Sequence, residues 1–167
     1  MTQADNKLKW CLKKAEKEGK KHRGLREMKP DASTASEHIK KAEHNLGVMQ
    51  YLIKGGYTDW AVQASFYAQY HCLLAVLCKF SYESRNQECT FATIETLIEE
   101  EKITLTKEEL HSIFATDQRD KLETTDIVEL RERFQYGTET RVEAGKIKAL
   151  FEQTKAFIEK TKTVLQE

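Results

Sequence analysis

Residues 58–79 read TDWAVQASFYAQYHCLLAVLCK, and their reading decides the fold. Residues 60–78 carry no charged side chain when His71 is counted as neutral. An apolar run of this length raises the question of a membrane span. Gln63, Ser65, Gln69 and His71 interrupt it, and Trp60, Tyr67 and Tyr70 bring polar atoms of their own. A helix that is apolar nearly all round in a chain with many charges is a buried core helix, around which the rest of the fold must pack.

The flanking segments supply that packing. Upstream, Ile39, Ala42, Leu46, Met49 and Ile53 recur at spacings of three and four, the stripe of a helix with one side against a bundle. Thr34 and Glu37 form a T-x-x-E capping pattern at its start, and Gly55-Gly56 ends it. Downstream, Ser84 with Gln87 predicts a helix through Glu101, with Phe91, Ile94, Leu97 and Ile98 inward. Thr106 with Glu109 predicts a short helix over 107–115, and residues 116–124 are polar and unassigned. A helix over about 125–136 ends at Gly137. Thr140 with Glu143 opens the last, which carries Ile147, Leu150, Thr154, Phe157, Thr161 and Val164. Residues 5–18 form a first helix with Leu8, Cys11, Leu12 and Ala15 on one face, and 19–33, with Gly19, Gly24, Pro30 and Asp31, read as a linker. No segment alternates convincingly as a strand. The expectation is an all-α, up-and-down bundle of about five long helices (34–167) preceded by a basic N-terminal helical arm (1–33).

Composition agrees. A chain of 167 residues, 40% apolar and 32% charged, fits one domain with its own core, and one proline with seven glycines favours long helices. The formal charge is zero but unevenly spread. Residues 1–30 hold ten Lys/Arg against four acids, a net of +6, so the remainder carries −6. A basic arm suits nucleic acid or an acidic partner, although the acids interrupting the run also fit a solvated helix face.

Cys11, Cys72, Cys78 and Cys89 show no C-x-x-C spacing, and the polar N-terminus is not a signal peptide. Four free thiols, no disulfide framework and a reducing cytoplasm are expected. His38 and His44 are not four apart, His111 stands alone and His22 lies in the arm. There is no H-E-x-x-H, P-loop or G-x-G-x-x-G pattern. No metal and no cofactor is expected.

One ordered set of residues goes further. Ala42, Gly56, Tyr57, Ala61, Phe66, Tyr67, Ala68, Tyr70 and His71 resemble the HEPN family (higher eukaryotes and prokaryotes nucleotide-binding). In that family an alanine-containing helix, a Gly-Tyr turn and an aromatic-rich pattern ending in histidine follow one another. The stretch LRERFQYGTETRVEAGKIKALFEQTKAFIEKTKTVL resembles its later helices, so the likeness runs over roughly 35–166. It implies a bundle, usually homodimeric. It also implies either metal-independent RNA cleavage, often as a toxin-antitoxin component, or a binding module paired with a nucleotidyltransferase. The nuclease members carry R-x4-6-H, in which arginine grips the scissile phosphate and histidine moves protons.

Two places compare with that motif. At 131–136, Arg131 and Arg133 are present, but Tyr136 stands at the histidine position. An ordinary tyrosine ionises near pH ~10, so it is a poor base at neutrality, though it can stack on a nucleobase or donate a hydrogen bond. At 84–90, Arg85-Asn86 begins an R-N-x3-H-like run, with Thr90 where histidine belongs. A helix start bearing Ser84, Arg85 and Asn86 is a candidate phosphate contact, or simply a capped helix with a surface arginine. Cys89 lies in that helix's first turn, where a thiol pKa can fall, although a buried, inert cysteine fits the position better. His71 is the histidine best placed within the resemblance, and it also reads as a hydrogen-bonded core residue.

The sequence therefore points to a non-catalytic, homodimeric module that binds a nucleotide, RNA or a nucleotidyltransferase partner. Arg85, Asn86, Arg131, Arg133 and Tyr136 are its candidate contacts. One alternative is a divergent metal-independent ribonuclease using Arg131 with Tyr136 or His71. Another is a helical assembly module without a ligand.

Overall fold

The computed structural model describes residues 2–113 and 127–167. The elements are α1 (Gln3–Glu18), β1 (Leu25–Glu27), α2 (Ala32–Lys54), α3 (Thr58–Lys79), β2 (Tyr82–Ser84), α4 (Gln87–Glu99), α5 (Lys107–Ile113), α6 (Ile127–Tyr136) and α7 (Ala144–Val164), with a 3₁₀ turn at Gly19–Lys21. The fold is mostly helical. The unassigned stretch 116–124 and the expected helix ends at 114–115 and 125–126 lie outside the described residues.

α3 is the centre. It buries residues on every side, Phe66, Leu73 and Leu77 among them, and α2, α4, α6 and α7 all pack on it. α2 and α3 form a hairpin closed by Gly55-Gly56, where Gly56 takes φ +80°, a conformation that side chains disfavour. α7 lies against both, presenting Ile147, Leu150, Phe157 and Ile158. One buried polar cluster crosses this interface. Ser65 Oγ is 2.7 Å from Thr154 Oγ1, and Gln69 donates to Thr154 Oγ1 at 3.2 Å and to Ser65 Oγ at 3.4 Å.

Three helix starts differ from the capping patterns. α2 begins three residues early, because Asp31, not Thr34, is the cap, accepting from Thr34 N at 2.8 Å. α4 is capped by Asn86 instead of Ser84, with Asn86 Oδ1 accepting from Cys89 N at 3.0 Å. α7 starts at Ala144 with no side-chain cap. The Thr106–Glu109 box is present in both directions, Glu109 N to Thr106 Oγ1 at 3.2 Å and Thr106 N to Glu109 Oε2 at 2.9 Å.

The linker also holds more structure than its composition suggests. β1 pairs antiparallel with β2, Arg26 opposite Glu83, forming a two-stranded ribbon between the arm and the α3–α4 connection. Gly24 lets this ribbon approach α1, since a Cβ there would stand 2.6 Å from the carbonyl oxygen of Cys11.

The expectation of four free thiols is overturned. Cys11 of α1 and Cys89 of α4 form a disulfide, both fully buried, and only Cys72 and Cys78 are free. The two cysteines meet because α1 docks on α4 through the face that carries Ala4, Cys11 and Ala15. No described helix is long and apolar enough to cross a membrane.

Candidate functional site

Arg131 projects from α6 onto α3. Its guanidinium carbon lies 4.1 Å from the centroid of the Phe66 ring, a cation–π contact. Gln63, one turn before Phe66 on α3, donates to the backbone oxygen of Arg131 at 3.1 Å, which pins α6 at that level. Arg131 is half-buried, and its Nε has no hydrogen-bond partner among the described residues. A buried N–H without an acceptor costs free energy unless something accepts from it.

The contact continues through the bundle. Phe66 stacks on Tyr70 with ring centroids 5.8 Å apart, and burial raises the Tyr70 phenol pKa above its usual range. The Tyr70 hydroxyl is 3.1 Å from Thr90 Oγ1, which lies 2.8 Å from Ser84 Oγ and 3.0 Å from the Asn86 carbonyl oxygen, two acceptors for its one proton. An arginine on one side of α3 is thus linked through two stacked rings to the start of α4. Tyr67, edge-on to Phe66, is 46% exposed beside this column.

His71 faces elsewhere. Its Nδ1 is 3.0 Å from Nδ1 of His38 on α2. Burial, with His38 and Lys41 adding, lowers the His71 pKa to about 4, so the ring is neutral at physiological pH. Burial lowers His38 as well, against an opposing effect of Glu37.

A family model described as HEPN domain matches residues 35–164. The chain belongs to the HEPN family. No curated protein matches it. Within this HEPN domain Arg131 occupies the α6–α3 contact, and the matched span leaves out α1 and β1.

The candidate residues read from the sequence fall into separate places. Arg131 and Phe134 turn inward on α6, whereas Tyr136 is 79% exposed. Residues five apart on a helix point in clearly different directions, so Arg131 and Tyr136 do not share a face. Arg133 is exposed and forks onto Glu139 with Nη2–Oε2 2.7 Å and Nη2–Oε1 2.8 Å. Arg85 pairs with Glu83 at 2.9 Å and donates to the Lys20 carbonyl at 3.1 Å. Asn86 uses its side-chain oxygen as the α4 cap. Cys89, expected as a buried, inert cysteine or else a thiol of lowered pKa, is buried but as a disulfide sulfur, and does not titrate.

Sequence reasoning missed Gln63 and Phe66 as partners of Arg131, and His38 as the partner of His71. The stripe Trp60, Gln63, Tyr67 and His71 on α3, at spacings of three and four, carried the signal. It shows a partly polar face on a helix otherwise read as core. Among the described residues no three His, Cys, Asp or Glu side chains gather as metal ligands.

Proposed function

We propose that this HEPN domain is a non-catalytic, homodimeric binding module whose ligand is RNA or a nucleotide. Nucleotide- and RNA-related activity is what family membership supports. The observation that supports the non-catalytic reading is that the two proton-transfer candidates, Tyr136 and His71, are placed apart from the Arg131–Phe66 contact. Arg131 rests on Phe66, while His71 engages its Nδ1 with His38 on α2 and is not an imidazolium acid near neutrality. An arginine fixed by a ring on one side still offers its planar fork to a phosphate, and Tyr67 beside it offers a face to a base.

The dimer reading is supported by where large apolar side chains remain exposed. Of the seven among the described residues, five belong to the α2–α3 hairpin: Val48, Tyr51, Tyr57, Trp60 and Tyr67. Clustered apolar exposure on one supersecondary unit is the pattern of a surface that meets a partner. A second copy would cover it, and a nucleotidyltransferase partner is the competing occupant.

The test incubates purified protein with labelled single-stranded RNA in chelator, beside Arg131→Ala. The expected result is binding without cleavage, weakened in the variant. Cleavage that persists in chelator and is lost in Arg131→Ala would replace this reading with a metal-independent ribonuclease. Light scattering of the same preparation reads the oligomeric state, and a monomer at micromolar concentration would remove the homodimer.

A further inference from the structure

We propose that one flank of α1, outside the family match, is a contact surface for single-stranded nucleic acid, with Trp10 stacking on an unpaired base and Lys14 and Lys17 neutralising phosphates. This rests on the RNA-binding reading above and locates a second, separate part of the binding surface.

Lys7, Trp10, Lys14 and Lys17 stand at spacings of three, four and three, so they share one side of α1. They span about 15 Å of helix. Of the acids of α1, Asp5 and Glu16 fall on the far side of the helix, while Glu18 stands one turn beyond Lys14 at the edge of the flank, where its carboxylate accepts from the backbone N–H of Arg23. At its centre Trp10 is 47% exposed, with Lys7 Nζ 4.4 Å and Lys14 Nζ 5.1 Å from the ring centroid. The rotation of the helix is fixed by the neighbouring residue. Cys11, about 100° further round the helix, is fixed in its disulfide with Cys89, which keeps Trp10 at the surface.

The ring also borders room. Trp10 and Lys7 form one wall of an open cleft of about 1030 Å³, with Ala92 and Leu110 among its apolar lining. The carboxylates along it are already paired, Glu88 to Lys7 at 2.7 Å, and Glu99 and Glu95 to Lys107 at 2.6 and 3.4 Å. His111 stands 3.9 Å from Glu95. An anionic strand on the flank therefore meets few uncompensated acids.

The chemistry selects the ligand. Lysines alone would suit any polyanion. An exposed indole at their centre adds stacking, which only an unpaired base can reach, because a duplex hides its base faces. A protein partner is disfavoured, since the large apolar residues of α1, Leu8 and Leu12, pack toward the core and not on this flank.

The experiment measures fluorescence anisotropy of a labelled 12-nucleotide single-stranded RNA and of its duplex, over a salt series and without reductant. Wild type, Trp10→Ala, Trp10→Phe, Lys14→Ala/Lys17→Ala and Arg131→Ala are compared, each first checked for helical content. Trp10→Ala should lose about 5- to 140-fold in affinity, the range for one stacked base, and Trp10→Phe should retain most of it. The double lysine variant should lower the log–log salt slope by about 1.4, for two phosphate contacts on a single strand. The duplex should bind more weakly than the single strand. If arm variants bind like wild type while Arg131→Ala loses binding, this inference fails and the proposed function stands. Equal binding of duplex and single strand would also overturn it. If wild type binds no RNA at low salt, the RNA half of the proposed function fails and this inference fails with it.

Discussion

His38 Nδ1 and His71 Nδ1 lie 3.0 Å apart, so a hydrogen bond between two imidazoles joins α2 to α3. The bond needs one ring to donate and the other to accept, and two protonated rings cannot make it. Burial holds both pKa values below the ordinary histidine value, His71 at about 4. The unfolded chain, with histidines near pH ~6.5, therefore binds more protons than the folded one between those limits. Stability from this pair is complete above the unfolded pKa and is lost as pH falls through the folded pKa. Urea midpoints measured at pH 7.5 and 4.5 should drop further for wild type than for His38→Gln/His71→Gln, since the carboxylates lose their contribution equally in both. Parallel drops would sink the idea.

The disulfide gives a second prediction. Cys11 and Cys89 are separated by 78 positions, so the cross-link removes a long loop's freedom from the unfolded chain. A stabilisation of about 2–4 kcal/mol is the usual outcome for such a bond. Reductant, or Cys11→Ala/Cys89→Ala, should lower the denaturation midpoint accordingly, and reductant should leave the double variant unchanged. Loss should be greatest for α1, whose buried side chains on α4 are small: Ala4, Cys11 and Ala15. Hydrogen exchange that rises uniformly, instead of first in residues 3–18, would contradict that order.

How much of this was legible in the sequence depends on range. α3 could be read directly, because a long uncharged run has one stable place in a charged chain. Helix existence followed from periodicity, but helix starts did not. Asp31 stands three residues before the T-x-x-E pattern and Asn86 inside the S-x-x-Q pattern, and each offers a short carbonyl-type acceptor that outcompetes the hydroxyl. Only Thr106, with no such rival, caps as its pattern implies. The β1–β2 ribbon is three residues per strand, too short for alternation to show, and its strands lie far apart in sequence. The Cys11–Cys89 bond depends on α1 docking on α4, which no local pattern encodes. Arg131 was reached through the family resemblance, but its seat on Phe66 depends on how α6 crosses α3.

Gly47 supplies a third prediction. It sits inside α2, and a Cβ added there meets nothing within 4 Å. Mid-helix glycine costs roughly 0.5–1 kcal/mol against alanine. Gly47→Ala should raise Tm by about 1–4 °C in a chain of this size, read by circular dichroism. A lowered Tm would show that the position is closed off, and a raised Tm with a weakened dimer would put Gly47 inside the hairpin interface beside Val48.

Gln69 tests the polar cluster at the α3–α7 interface. Its amide nitrogen donates to Ser65 and Thr154, but Gln69 Oε1 is buried with no partner among the described residues. An orphaned buried acceptor costs about 1–3 kcal/mol, whereas replacing such a group by an apolar one of similar shape is nearly neutral or stabilising. Gln69→Leu should therefore keep or raise the urea midpoint, since Ser65 and Thr154 still pair at 2.7 Å and Thr154 also donates to the Leu150 carbonyl at 2.7 Å. Thr154→Val does the reverse. It removes the hydroxyl that receives both Ser65 and Gln69, leaves their polar atoms buried, and should cost about 1–3 kcal/mol. The two variants thus move stability in opposite directions at one interface. A large loss in Gln69→Leu would mean that Oε1 has a partner, such as a bound water, and that the amide holds α3 against α7 instead of tolerating its place there.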